Sequence, residues 1–210
     1  MIAGLPLDTA SLLAIAAALG WASGLRLYAV VFLTGMAGFL GWVDLPSGLK
    51  LLQSPVMLGA SGLMLVVEFF ADKIPGIDTL WDLIHTVVRI PAGAALAAAV
   101  FGADQSSWAM AAALMGGTLA ATSHVAKATT RAALNTSPEP FSNLAMSLLG
   151  DSLVPASLWL SWAHPTVFFA VLAVAVVVMI GLIWVLAKFL RGLARRVSGL
   201  FATARPSARG

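Results

Sequence analysis

Four charged residues stand inside stretches that are otherwise apolar: Arg26, Glu68, Arg89 and Asp151. A charge in hydrocarbon is costly, so such residues face a protein interior or water and often mark a path for ions or protons. Arg89 lies ten residues beyond Thr79, a good helix cap, and Asp151 lies nine beyond Ser142, another. At about 1.5 Å per residue both reach roughly 14–15 Å into a bilayer, near its midplane. Opposite charges at one depth on two helices of the same direction predict an ion pair. Glu68, nearer the polar end of its helix, is the alternative partner for Arg89. Such a pair has two meanings, a lock on helix packing or a gate and binding site for a small ion or solute.

A second polar group lies nearer one face: Glu68, Asp72, Lys73, Asp78, Asp82, His85, His124, Lys127 and Arg131. Asp82 and His85 are three apart on one helix face, a loose relative of the Glu-x-x-His half-motif of carboxylate-bridged metal bundles. Glu68 and His124 could join them. The second half-motif is missing, however, and helix caps and interfacial charges account for Asp72, Asp78 and Asp82, so no metal ligands are assigned. Ser123 and His124 are neighbours about 100° apart on a helix, which does not make a nucleophile and its base. There is no Gly-x-Ser-x-Gly elbow, no His-Glu-x-x-His and no phosphate-binding glycine loop. The absence of these signatures ranks an intramembrane enzyme third, behind transport and scaffold readings, and no cofactor is expected. The candidate substrate or ion site of the chain comprises Arg26, Glu68, Arg89, Asp151, His85, His124, Lys73 and Lys127.

These residues need elements to hold them. The first apolar stretch, Ser11 to Trp42, would be about 48 Å long as one helix, too long for a simple span. Gly20, Ser23, Gly24 and Arg26 interrupt it, and a break between Gly20 and Arg26 is expected. Pro46 and Gly48 mark a loop. Further spans are expected from about Pro55 to Ala71, Leu80 to Phe101, Trp108 to Val125 with a polar helical extension, Ser142 to Trp162, and Pro165 to Leu190. Thr79 with Asp82 resembles a capping box. Gly35-Met36-Ala37-Gly38 and Gly59-Ala60-Ser61-Gly62 read as close helix packing. Trp42, Trp81, Trp108 and Trp162 sit at span ends, as interfacial anchors do. Helices two–three and four–five carry a weak parallel repeat: a lysine, a proline turn, then a charge followed by Pro-Ala.

The fold class expected is all-α, a polytopic membrane bundle of about six spans with a broken first helix. Residues 1–190 form one transmembrane domain and 191–210 a basic cytoplasmic tail. Composition supports this: 60% of the 210 residues are hydrophobic and 10% charged, with mean hydropathy +0.95, whereas soluble domains carry about 25% charged residues. No cysteine is present, which excludes disulfides and thiolate sites. Six of the twelve Lys and Arg lie in the last 23 residues, so the net charge of +3 describes the tail and not a nucleic-acid surface. The N-terminus lacks the positive flank of a cleavable signal. The basic residues cluster on one side, leaving only Lys50 opposite, which places both termini of a six-span chain in the cytoplasm. A seven-span count, splitting the first stretch, would put the N-terminus outside. Expected partners are the bilayer, anionic lipid at the tail and a second copy of the chain.

Gly-Trp-Ala-Ser-Gly-Leu-Arg-Leu-Tyr-Ala from Gly20, Val-Glu-Phe-Phe-Ala-Asp-Lys-Ile-Pro-Gly-Ile-Asp from Val67, Arg-Ile-Pro-Ala-Gly-Ala from Arg89, and Asn-Thr-Ser-Pro-Glu-Pro-Phe-Ser-Asn from Asn135 resemble, in this order, a bacterial membrane family filed as a domain of unknown function. The resemblance covers roughly Ser11 to Trp184. It implies placement in a bacterial inner membrane and no particular activity. Glu68 to Lys73 is also similar to the acidic Glu-x-Gly-Asp-Lys element of a cation-exchanger family, with the Glu–Asp spacing one residue longer and the glycine missing. The function expected is a membrane transporter or channel with a midplane charged site. A non-transporting scaffold is the second reading.

Overall fold

The computed structural model describes residues 7–74, 76–136 and 140–203, without the side chains of residues 140 and 197–203. Pro75, the turn at 137–139, Arg205 and Arg209 lie outside the described residues. Six α-helices follow in order: α1 Thr9–Phe39, α2 Pro55–Ala71, α3 Ile77–Ala99, α4 Ser106–Leu134, α5 Pro140–Ala163 and α6 Pro165–Thr203. A 3₁₀ segment, Ser47–Gln53, precedes α2. No strand occurs among the described residues.

The starts follow local chemistry. Asp8 caps α1 by accepting from the Ser11 N–H at 2.8 Å, and Ser54 caps α2 by accepting from the Met57 N–H at 3.3 Å, with Pro55 at the first position, where a missing N–H costs nothing. Hydrogen bonds from Ser11 hold the Asp8 carboxyl below its usual range. Proline also opens α5 and α6. The expected Thr79 cap is not used. Gly76, at φ 87°, precedes α3, and Asp78 accepts from the Gly76 and Thr79 N–H groups. Asp82 turns instead toward Arg89 and Lys127.

Five helices are long and apolar enough to cross a membrane. A sixth span results if Ser47–Gln53 and Pro55–Ala71, bent by 69°, count as one. The apolar run at each helix is what lipid demands of a spanning segment, because every backbone group must be satisfied within the helix.

The first helix departs from a simple span. Arg26 alone within it is extended, at φ −149° and ψ 90°. Before the break, Gly20 lies against Gly116 and Gly24 against Ala120 and Ser123, so this half runs in the direction of α4. After it, Phe32 lies against Gly62, and Gly35 against Leu58 and the Leu52 carbonyl, so this half runs opposite to α2. Both α2 and α4 bring their C-terminal ends to one cluster, where Asp72 meets Lys127 and Arg131. The helix therefore enters toward that cluster, turns at Arg26 and heads back to the end it came from. The break expected between Gly20 and Arg26 is present, at Arg26 itself.

This turn corrects two expectations. The first helix thus enters and leaves at one end, so Thr9 and Thr203 lie at opposite ends of the bundle, where six simple spans would bring them to the same end. Most of α1 is buried. It packs extensively against both α3 and α5, which share next to no contact with each other. Hence Arg89 and Asp151 are not on neighbouring helices. Nor do helices two–three and four–five pack as hairpins: α2 barely touches α3 and α4 barely touches α5, while α3 and α4 form the most intimate pair.

The α1–α3–α4 centre is a seam of small residues. A methyl added at Gly20 would meet the Gly116 backbone, one at Gly24 the Ala120 carbonyl and the Ser123 hydroxyl, and one at Gly116 the Ala97 methyl. Backbones that approach this closely pack as membrane helices do without a hydrophobic drive between them. Gly20 and Gly24 thus serve contact, not the weakening of α1. The other small patches are used unevenly. Gly35, Gly38 and Gly62 make close contacts, and Gly59 faces open space. The helix α6 continues without a break from Pro165 to Thr203, so the basic residues from Lys188 to Arg196 extend the last helix and do not begin a separate one.

Candidate functional site

The turn of α1 sits in a network of ion pairs. Arg26 Nη2 lies 3.0 Å from Asp72 Oδ2, and Arg26 Nε 2.9 Å from Asp151 Oδ1. The same guanidinium donates to the Ser147 hydroxyl at 2.9 Å. Asp72, fully buried, also receives Lys127 at 3.0 Å and Arg131 at 3.4 Å. Arg131 reaches Asp78 at 3.1 Å. Lys127 reaches Asp82 at 3.2 Å. Arg89 closes the set, with Glu68 at 2.7 Å and Asp82 on its other nitrogen. At the opposite edge Lys73 holds Asp151 at 3.2 Å and lies over the Phe69 ring at 3.1 Å.

The network therefore joins five bases, Arg26, Lys73, Arg89, Lys127 and Arg131, to five acids, Glu68, Asp72, Asp78, Asp82 and Asp151. Fully ionised, it is neutral. Arginine cannot shed its proton at any useful pH, so Arg26 and Arg89 must be matched by anions wherever they are buried. A low-dielectric site makes each pair strong and each unmatched charge expensive.

The same residues hold the turn open. An extended residue inside a helix frees the preceding carbonyls from their usual N–H partners. Lys127 donates to the Leu25 carbonyl at 3.0 Å, and Ser123 donates to the Trp21 carbonyl at 2.6 Å. Lys127 is thus bound to both backbone and carboxylates, which ties the shape of α1 to the charge arrangement.

All eight candidates fall in or beside this centre. Arg26, Glu68, Lys73, Arg89, Lys127 and Asp151 are members. His124 touches it: its Nδ1 is 3.3 Å from Arg89 and its Nε2 2.8 Å from Thr86 Oγ1. His85 stacks on Trp81 at 4.0 Å between centroids, with its Nδ1 on the Trp81 carbonyl at 2.8 Å. The expected Arg89–Asp151 pair is absent among the described residues. Arg89 takes Glu68, the alternative, and Asp151 takes Arg26 and Lys73. The two polar groups read separately from the sequence are one. Asp72, Asp78 and Asp82, read as caps and interfacial charges, are buried members of it, and so is Arg131. Their four- and three-residue spacings on α2, α3 and α4, set against a charged residue one or two turns away, were the signal.

No three of His, Asp and Glu come together as a metal ion would need, among the described residues. Asp82 and His85 are turned to different partners, and Glu68 and Asp82 are both engaged by Arg89. Glu68 and Asp72 are therefore matched internally, unlike the free acidic pair an exchanged cation would need.

Two cavities adjoin the centre. One, about 420 Å³, lies between the second half of α1, the 3₁₀ segment, α2 and α3, and is lined by apolar residues with Tyr28 and Ser61. The other, about 290 Å³, lies between α1, α4, α5 and α6, and has Arg26, Asp72, Lys127 and Arg131 in its wall.

A family model described as a domain of unknown function, DUF4126, matches residues 13–186. No curated protein matches the chain, and no solved structure does.

Proposed function

Because the chain belongs to the DUF4126 family, whose description assigns no chemistry, we propose from the geometry that it is a membrane transporter or channel for a small ion or solute. The observation that carries this reading is a network of ten charged groups around the point where α1 turns back, seven of them buried and Lys73, Lys127 and Asp151 half-buried. Replacing a buried ion pair by packed apolar residues is often neutral or stabilising, so stability alone gives no reason to keep so many. Charges buried within membrane proteins are associated with ion and proton paths, and broken helices with transporter binding sites, although here the turn meets Asp72 at the end of α2 and not a mid-helix position as the sequence suggests.

The neutrality of the network constrains the mechanism. A charged solute entering it would leave one charge unmatched in a medium where that is costly. Transport is therefore compensated: an anion enters with a proton that lands on one carboxylate, or a cation enters as one lysine of the network gives up its proton. Since Lys127 holds both Asp72 and the Leu25 carbonyl, a solute that draws Lys127 away loosens the turn of α1, which supplies the moving element.

The basic residues of the network end and of α6 support a cytoplasmic side for that end by the positive-inside rule, and the reading keeps the chain in a bacterial inner membrane. With α1 turning back, the N-terminus is then on the outer face and the C-terminus inside, replacing the expectation that both are cytoplasmic. The scaffold reading is favoured by the apolar groove between α1, α2 and α3, which faces outward and could seat a partner helix. Proteoliposomes loaded with a pH dye and a panel of tracer ions separate the two. Transport predicts a dye or tracer signal above that of empty vesicles, lost in Lys127→Met. A signal equal to empty vesicles for every tracer leaves the scaffold.

A further inference from the structure

We propose that Glu68 is the proton-binding carboxylate of this protein, loaded on its Oε2 atom through the groove between α1, α2 and α3. This rests on the reading of the ion-pair network as a transport site and names the acid that takes the compensating proton.

Its partners single it out. Among the described residues Asp72 meets Arg26, Lys127 and Arg131, Asp82 meets Arg89 and Lys127, and Asp151 meets Arg26 and Lys73. Asp78 has Arg131, the Gly76 and Thr79 N–H groups and the Asn135 amide. Glu68 has Arg89 alone, at 2.7 Å from Oε1. Its side chain is wholly buried, and its Oε2 has no hydrogen-bond partner. Oδ2 of Asp78 and of Asp82 also lack a hydrogen bond, yet each lies against Arg131, at 3.1 and 3.9 Å. A buried oxygen without a donor is costly, and a proton settles on Oε2 without displacing any existing contact. Arg89 is not stranded by the change, because Asp82 stays on its other nitrogen. One lone pair suffices for a proton, whereas a metal ion needs several ligands.

The groove supplies the route. It runs from Leu49 and Leu51 on the 3₁₀ segment, at the end away from the network, to Tyr28, Met64 and Ala92. Met64 is four residues before Glu68 on α2, and Ala92 three residues past Arg89 on α3, about one helical turn in each case. The inner end of the groove therefore lies a turn from the pair on both helices. Two of its lining residues carry a hydroxyl. Ser61 donates to the Met57 carbonyl at 2.6 Å. The Tyr28 hydroxyl has no hydrogen-bond partner among the described residues, and the charges of Glu68 and Arg89 both act on it. Tyr28 passes its proton to Oε2 and takes another from water that enters the groove, so the relay ends as it began. The two polar groups give that water partners, while the apolar remainder of the wall excludes hydrated ions. The other groups around the pair are engaged. Asp82 and His124 Nδ1, at 3.3 Å, take the Nη1 side of Arg89. Arg26 is held by Asp72 and Asp151. His85 lies edge-on to Tyr28, 5.7 Å between ring centroids, with its Nδ1 on the Trp81 carbonyl. Lys50 of the 3₁₀ segment is exposed and does not line the groove.

The test is pH-difference infrared spectroscopy of the full chain in nanodiscs of ether-linked lipid, which has no ester carbonyl to mask a carboxyl band. Lowering the pH from about 8 to about 5, the range in which folded chains are generally most stable, should bring up the C=O stretch of one protonated carboxyl, shifted in heavy water. Glu68→Gln keeps an oxygen for Arg89 and carries the charge of the protonated state, and it should abolish the band. Glu68→Asp should keep the band at a new frequency, which no change at another acid would mimic. Asp151→Asn should leave it unaltered. Tyr28→Phe should slow its appearance after a pH jump by about tenfold or more and leave its final size alone. If Glu68→Gln does not fold, the frequency shift in Glu68→Asp still assigns the band. A band that survives Glu68→Gln, a frequency unmoved in Glu68→Asp, or no carboxyl band at all overturns the proposal. An unchanged rate in Tyr28→Phe overturns the route through the groove. A Glu68 band in a protein that moves no tracer leaves the proton site and removes transport. Tracer flux without a Glu68 band does the reverse.

Discussion

Replacing Arg89 with methionine should be among the most damaging single changes to this protein, and the damage should be undone by a second change at Glu68. Both side chains are fully buried, and Arg89 is the one cation paired with Glu68 in the network. Asp82, the other partner of Arg89, keeps Lys127 at 3.2 Å. The cost of Arg89→Met is thus the stranding of one carboxylate, about 3–5 kcal/mol for a broken buried pair. For a chain of this length about 2–4 °C of melting temperature accompanies each kcal/mol, so Tm should fall by about 6–20 °C in nanodiscs. Arg89→Met with Glu68→Met removes both charges and should recover most of the loss. Asp151→Asn should cost far less, about 1 kcal/mol. Its carboxylate is 22% exposed, which screens it, and Arg26 keeps Asp72. Arg89→Met and Asp151→Asn should add within about 0.5 kcal/mol, because they share no partner. A single Arg89→Met that costs under about 1 kcal/mol, or a double variant no more stable than the single, would refute the pairing.

Gly116→Ala should destabilise by about 1–3 kcal/mol through overpacking against Ala97 and Gly93, whereas Gly59→Ala, which meets open space, should be neutral or better in the same melting assay. Ser123→Ala should cost about 1 kcal/mol, one buried hydrogen bond to the Trp21 carbonyl, and leave the fold intact by circular dichroism. Reporter tags at the N-terminus, Leu45 and Asp104 should all read outside, and tags at Ile77 and the C-terminus inside. An N-terminal tag that reads with the C-terminus would contradict the turn at Arg26.

The helices were readable because their ends carry local chemistry. Pro55 and Pro165 start helices whatever surrounds them, and the apolar runs between are what lipid requires, whereas α5 starts at Pro140, ahead of the cap expected at Ser142. The break before Leu27 was readable too, since Arg26 has no place in a straight lipid-facing helix. The direction α1 takes afterwards was not. One extended residue permits many angles, and the choice is made by Phe32 and Gly35 finding α2, contacts far from the break. The ion pairs failed for a related reason. Counting residues from a cap gives depth, and Arg89 and Asp151 match in depth, but depth does not say which helices are neighbours. Once α1 sits between α3 and α5, Arg26 reaches Asp151 first. Asp82 was misread because its spacing from Thr79 suits a capping box as well as it suits a buried ligand of Arg89 and Lys127.

The length of α6 has a consequence for how the protein meets its membrane. Its 39 residues would measure about 58 Å, nearly twice a hydrocarbon layer of about 30 Å. Lys188, the first of its basic residues, comes 23 positions after Pro165, about 35 Å along the axis, and its ammonium lies 5.5 Å from the Trp184 ring. Lysine beside tryptophan anchors a helix at the head groups. The helix is thus a ruler laid across the bilayer, fixed by Pro165 at one surface and by Trp184 and Lys188 at the other. A thinner bilayer must tilt the ruler, and a thicker one must stretch past it. Either change alters how α6, and with it α4 and α1 packed against it, meets the membrane surface, so acyl-chain length should shift the melting temperature of the whole bundle.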